Sequence, residues 1–341
     1  MKKHLSGMIK PAVCLLGLMI LLTGCGNTGD MNSTAESASL GSDLLENSEA
    51  ESAQGKENTE KHLLDESGDS DSSDSEGNET KENSSEEEQS MEEVIEWDSN
   101  WKYAEFSKIH TGQAMLYRTS TDVKKGKIIC INAGHGTSGG NQVYTLCHPD
   151  GSPKVTGGST GEGKTQATAV AGGTTMNDGT RESVVTLKLA LTVKDVLLES
   201  GYDVLMIRET EDVQLDNIAR TVIANQYADC HIALHYDSSQ SDKGLFYISV
   251  PDISSYRSME PVASHWQEHH QLGDAIIDGM EQQGVKIFGD GTLALDLTQT
   301  SYSTIPSVDL EVGDRASDYS SVTLTRLAEG IAAGLDQLYG Y

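Results

Sequence analysis

Downstream of Lys127 the sequence keeps switching between two periods, and that switching limits the folds open to it more than any other feature. Short apolar runs at 127–133 (KIICINA), 202–207 (YDVLMI), 230–235 (CHIALH), 244–250 and 305–312 (IPSVDLEV) read as strands. Between and after them, 181–200, 215–227, 259–283 and 322–338 carry apolar residues at helical spacing. In the first of these helices Val184, Val185, Leu189, Val193, Val196 and Leu197 contribute to a broad apolar face, and Gly201 stops it. Strands that are apolar on both sides and separated by helices require crossover connections, hence a mainly parallel sheet covered on both faces. The expected fold is α/β. It is a single domain over 124–341 with a mainly parallel sheet flanked by helices on both faces, phosphorylase/hydrolase-like, and long enough to bury a proper core.

Polar residues stand where these strands end. The run at 127–133 delivers His135 between Gly134 and Gly136, the run at 230–235 ends in His235, and the last strand carries Glu311. Glu182 begins the helix at 181–200, where a carboxylate is also simply a favourable charge at a helix start. Open α/β sheets bind ligands outside the carboxyl ends of their strands. Two imidazoles and a carboxylate form a ligand set for catalytic zinc with a fourth position left for water, and a second carboxylate can move that water's proton.

Other stretches offer weaker signals. Residues 137–180 are rich in Gly and Thr and read as a long, mobile-looking loop. Its GEGK lacks the spacing of a phosphate-binding loop, and its Glu162 and Asp178 compete with Glu182 as acids but do not begin the helix. His265, His269 and His270 have metal-gripping spacing on a helix without the Glu of an HExxH motif, and are expected on a solvated face. Cys130 and Cys230 lie in apolar strands and read as small core residues, whereas Cys147 leaves a disulfide open.

The chain ahead of the domain differs in kind. Residues 1–24 have a basic start, a short apolar core and the ending Leu22-Thr23-Gly24 before Cys25, a secretory signal resembling that of bacterial lipoproteins. Cys25 is then the expected lipidation site, with an uncleaved membrane anchor as the other reading; both export the protein. Residues 25–100 hold most of the net charge of −29 and few apolar side chains, the composition of a disordered acidic tether. Such a charge balance argues against nucleic acid as a partner. Residues 101–123 read as a transition segment packing on the domain.

The motifs resemble those of the zinc-dependent N-acetylmuramoyl-L-alanine amidase family of bacterial cell-wall hydrolases. The match runs through Gly134-His135-Gly136, Glu182 at a helix start, Gly201-Tyr202-Asp203-Val204 with Arg208, and Arg220 with Ala224-Asn225. It continues through Ala233-Leu234-His235 and ends on Pro306, Val308, Glu311 and Gly313. The resemblance implies that His135, Glu182 and His235 bind Zn2+ and that Glu311 is the general base and acid. It implies peptidoglycan as substrate, cut between N-acetylmuramic acid and L-alanine, and structural roles for Arg208 and Arg220. The expected protein is an exported monomer, lipid-anchored to the outer face of the membrane and facing the wall. A non-catalytic glycopeptide-binding lipoprotein of the same fold is the alternative. Two departures adjoin the site: the interval from His135 to Glu182 is long, and Glu311-Val312-Gly313 is followed by Asp314-Arg315-Ala316-Ser317-Asp318.

Overall fold

A computed structural model describes residues 91–341. The signal segment, Cys25 and all of the tether before residue 91 lie outside the described residues. In chain order the strands and helices begin with β1 (Glu92–Ile95), β2 (Ala114–Tyr117), β3 (Ile128–Ala133), β4 (Tyr144–Leu146), β5 (Gln166–Thr168) and α1 (Glu182–Glu199). They continue with β6 (Asp203–Met206), α2 (Asn217–Tyr227), β7 (Cys230–Asp237), β8 (Leu245–Ser249), α3 (Ser254–Arg257) and α4 (Val262–Gln282). The last are β9 (Ile287–Ala294), α5 (Thr298–Tyr302), β10 (Ser307–Asp314) and α6 (Ser321–Tyr339).

Eight strands form one sheet in the order β1-β2-β6-β3-β7-β10-β8-β9, and β4 pairs with β5 apart from it. The centre, β6-β3-β7-β10, is parallel throughout, as expected for strands joined by helical crossovers. Alternate side chains of the central strands serve two cores. Ile129, Ile131, Val204, Met206, Ile232, Leu234, Val308 and Leu310 pack with α1, α4 and α6 on one face. Cys130, Leu205 and Ile207 pack with Leu215, Ala219 and Ile223 on the face covered by α2. Fully buried central strands with helices on both sides are what their near-continuous apolar runs require.

The sheet starts further upstream than residue 124. β1 pairs antiparallel with β2, and β2 with β6, so residues expected in the tether and the transition segment are two strands of the sheet. Ile95, Ala114 and Leu116 are buried in the core beneath α2. The outermost strand exposes Glu92 and Glu93, and acids on an edge discourage further pairing. Asp216 ties the intervening segment down: it caps α2 through Ala219 N at 2.8 Å and also accepts from Lys108 N and Ile109 N at 2.6 and 2.9 Å.

Two further expectations change. The loop 137–180 contains the β4–β5 hairpin and is pinned at its middle by Asp296, which is fully buried. That carboxylate meets Lys154 Nζ at 2.8 Å, accepts from Val155 N at 2.7 Å and from Thr156 Oγ1, and lies 3.2 Å from His148 Nε2. Burial alone would raise the Asp296 pKa, but the bonds from His148, Lys154 and Thr156 hold it well below the usual carboxylate range. The histidines of α4 do not share a solvated face. His265 pairs with Glu268, while His269 is buried against β10, where its Nδ1 accepts from Ser307 N at 3.0 Å. Burial depresses the His269 pKa to about 3, so its ring is neutral. Cys130, Cys147 and Cys230 are all free and buried.

Candidate metal centre

The turn after β3 carries unusual backbone. His135 has φ 64°, a left-handed conformation that costs a non-glycine residue about 1 kcal/mol or more and persists only where surroundings enforce it. Two buried arginines enforce it here. Arg220 donates to Ala133 O at 3.1 Å, His135 O at 2.6 Å and Asn132 Oδ1 at 3.0 Å. Arg208 donates to Gly134 O and Ser183 O, both at 2.9 Å, which fastens the turn to the first turn of α1. Burial lowers their pKa values to about 10 for Arg208 and about 9 for Arg220, values at which both stay charged at neutral pH. Gly134 is needed for space, since a Cβ there would lie 2.4 Å from His235 Cε1.

Three side chains converge beyond this turn. His135 Nε2 lies 2.9 Å from Glu182 Oε1, His235 Nδ1 lies 3.3 Å from the same oxygen, and the two ring nitrogens are 3.1 Å apart. Among the described residues this is the one group of three or more His, Cys, Asp or Glu that could hold a metal ion. Two of the three are oriented from behind. His135 Nδ1 donates to Ala171 O at 2.8 Å, which turns Nε2 toward Glu182 and His235. Glu182, 2% exposed, accepts from Thr174 N at 2.7 Å and Tyr236 N at 3.0 Å. Gly173 lets the loop pass close, because a Cβ there would come within 2.7 Å of His135 Cδ2 and 2.9 Å of Glu182 Oε2.

Donor chemistry and spacing both fit zinc. A tetrahedral ion with bonds of about 2.0–2.1 Å separates its ligand atoms by about 3.3–3.4 Å, close to the three separations found. The electrostatics favour a cation as well. Burial would depress the His235 pKa, but Asp309, Glu182 and Glu311 outweigh it and lift the ring to about 10. Burial would also raise Glu182, yet the bonds and charges of His135 and His235 draw it well below the carboxylate range. Glu311 sits beside His235 in register on the adjacent parallel strand, outside the three-residue cluster. Burial and then Asp309 push its pKa well up, and its Oε2 is buried without a hydrogen-bond partner.

All four sequence candidates therefore lie at one end of β3, β7 and β10. The competitors do not join them: Glu162 is exposed, and Asp178 accepts from Thr180 N at 2.9 Å and from Tyr319. One acid escaped the sequence reading. Asp309 shares a face of β10 with Glu311, and its Oδ2 lies 3.8 Å from His235 Nε2. Its signal is the alternation of β10, where Val308, Leu310 and Val312 enter the core while Ser307, Asp309 and Glu311 face the other way. The two departures beside the site also meet. Arg315 Nε donates to Thr175 O at 2.6 Å, and Asn177 N donates to Arg315 O at 2.9 Å, so the altered turn after Glu311 braces the long loop.

The family model described as N-acetylmuramoyl-L-alanine amidase matches residues 129–337. The crystal structure of the apo form of the N-acetylmuramyl-L-alanine amidase Ami1 from Mycobacterium abscessus is similar at 17% identity and TM-score 0.51, over 63% of this chain and 99% of that one. Ami1 from Mycobacterium smegmatis is similar at 17% identity and TM-score 0.52, over 64% of this chain and 99% of that one. At this identity both likenesses speak to the fold. No curated protein sequence matches the chain.

Proposed function

We propose, from the premise that the chain belongs to the N-acetylmuramoyl-L-alanine amidase family, that it is a zinc-dependent peptidoglycan hydrolase. It cleaves the amide between the lactyl group of N-acetylmuramic acid and the L-alanine of the stem peptide. The observation that carries the reading is the convergence of one ligand atom each from His135, Glu182 and His235 within 4.8 Å of one another. These residues would hold the zinc, which when bound supplies a Lewis acid that activates water and polarises a carbonyl.

The rest of the chemistry falls to the chain. Glu311, in register with His235, takes a proton from the attacking water as its oxygen bonds to the lactyl carbonyl carbon. The C–N bond then breaks, and Glu311 returns the proton to the departing L-alanine nitrogen. Atoms balance: one water is consumed, and a carboxylic acid and an amine are released. Arg208 and Arg220 hold the turn that presents His135, and the loop end at 171–174 orients His135 and Glu182.

The sequence ahead of the domain supports an exported, lipid-anchored enzyme. Its basic start, apolar core and Leu22-Thr23-Gly24-Cys25 ending fit a lipoprotein signal with Cys25 as the lipid site. The acidic stretch then acts as a self-repelling spacer that lets the domain reach the wall. Among the described residues no helix is long and apolar enough to cross a membrane.

Digestion of purified peptidoglycan tests the activity. The expected products carry new free L-alanine amino termini with no new reducing sugars. New reducing sugars would indicate glycan cleavage, and a wall that is bound but uncut would indicate a glycopeptide-binding protein.

A further inference from the structure

The three-residue cluster leaves one neighbouring acid unexplained. Asp309 stands two residues before Glu311 on the same face of β10, and directly opposite it on β7 is Ala233, two residues before His235. The methyl group of Ala233 leaves the Asp309 side chain room to lean along the strand toward the imidazole. Its Oδ2 lies 3.8 Å from His235 Nε2, beyond a hydrogen bond but within ion-pair reach, and its Oδ1 is buried with no hydrogen-bond partner. A carboxylate left unpaired on a largely buried strand is costly unless something positive faces it. The ring nitrogen it faces is the one pointing away from Glu182 and His135, since those two are met by Nδ1.

We propose that Asp309 is a positioning residue for His235: it favours a proton on Nε2, and so keeps the Nδ1 lone pair directed at the metal position. The inference rests on the zinc reading of the site and adds to it a carboxylate–histidine pair. Such outer partners fix the tautomer and ring angle of a ligating histidine and strengthen it as a donor. The same relation already holds on the other side of the centre, where Ala171 O fixes His135. Two histidines thus present opposite ring nitrogens, Nε2 of His135 and Nδ1 of His235, each set by what the other nitrogen meets.

The test uses the full exported chain, wild type, Asp309→Asn and Asp309→Leu, with zinc alone as the probe. Zinc affinity by chelator competition is expected to fall about 10–100-fold in the variants, the usual cost of losing an outer partner. Histidine-selective 15N NMR of the zinc-loaded chain should show His235 protonated on Nε2 in the wild type. The thermal midpoint of the metal-free chain should not fall in step with affinity, which separates positioning from a general structural role. Asp309→Asn nearly keeps the shape, so it remains informative if the leucine variant fails to fold. Variants that bind zinc within twofold of the wild type would overturn the inference and leave the zinc reading standing. A wild-type chain that takes up no zinc would overturn both.

Discussion

Glu311→Gln is expected to keep its zinc and to lose amide hydrolysis by about 10²–10⁴-fold, the range for removing a general acid–base group. The substitution preserves shape and hydrogen-bonding capacity, so a fall in turnover reports the lost proton carrier. Zinc content should hold because Glu311 lies outside the group formed by His135, Glu182 and His235. The environment suits the role. Burial and the neighbouring Asp309 raise the Glu311 pKa well above its ordinary value, which favours a carboxyl able to hand its proton back. Turnover of a wall-derived muramyl peptide, measured beside metal content, checks the claim. Unchanged turnover would remove Glu311 from the chemistry.

The second large effect concerns folding. Arg220→Leu is expected to cost about 3–5 kcal/mol in urea unfolding, in the range for breaking a buried charged network. Arg220 is 1% exposed and donates to Leu215 O, Asn132 Oδ1, Ala133 O, His135 O and Thr137 Oγ1. Removing the guanidinium leaves several of these acceptors buried and unpaired, and each orphan adds its own desolvation cost. The left-handed backbone at His135 also loses its main brace, so zinc affinity should fall together with stability. Arg220→Lys should recover little, because one ammonium cannot span acceptors arranged around a planar fork. A loss below about 1 kcal/mol would show that the turn is held by other contacts.

These two residues illustrate what could be read before any coordinates. The central strands were legible because each is a nearly unbroken apolar run, and the helices because their apolar faces repeat at helical spacing. The site candidates were legible because histidine and glutamate at strand ends serve no core. β1 escaped because only Ile95 of its four residues is buried, so it carries no apolar run. β9 escaped because Gly289 and Gly291 leave its eight residues without an apolar run, although both lie in an edge strand paired with β8. The loop 137–180 looked mobile because its order rests on distant partners. Asp296 and Arg315, which hold it, are more than a hundred residues away in sequence. His269 looked solvated because helical spacing fixes which residues share a face but not what packs against that face. Asp309 was passed over within a run read for its apolar residues and for Glu311.

The central claim is that His135, Glu182 and His235 together hold a zinc ion. The most direct measurement is metal content of the purified chain after dialysis, beside His135→Ala, Glu182→Ala and His235→Ala variants shown to be folded. The account predicts about one zinc per wild-type chain and a loss of retained zinc in each variant. A wild-type chain that takes up no zinc, or variants that retain it as the wild type does, would contradict it.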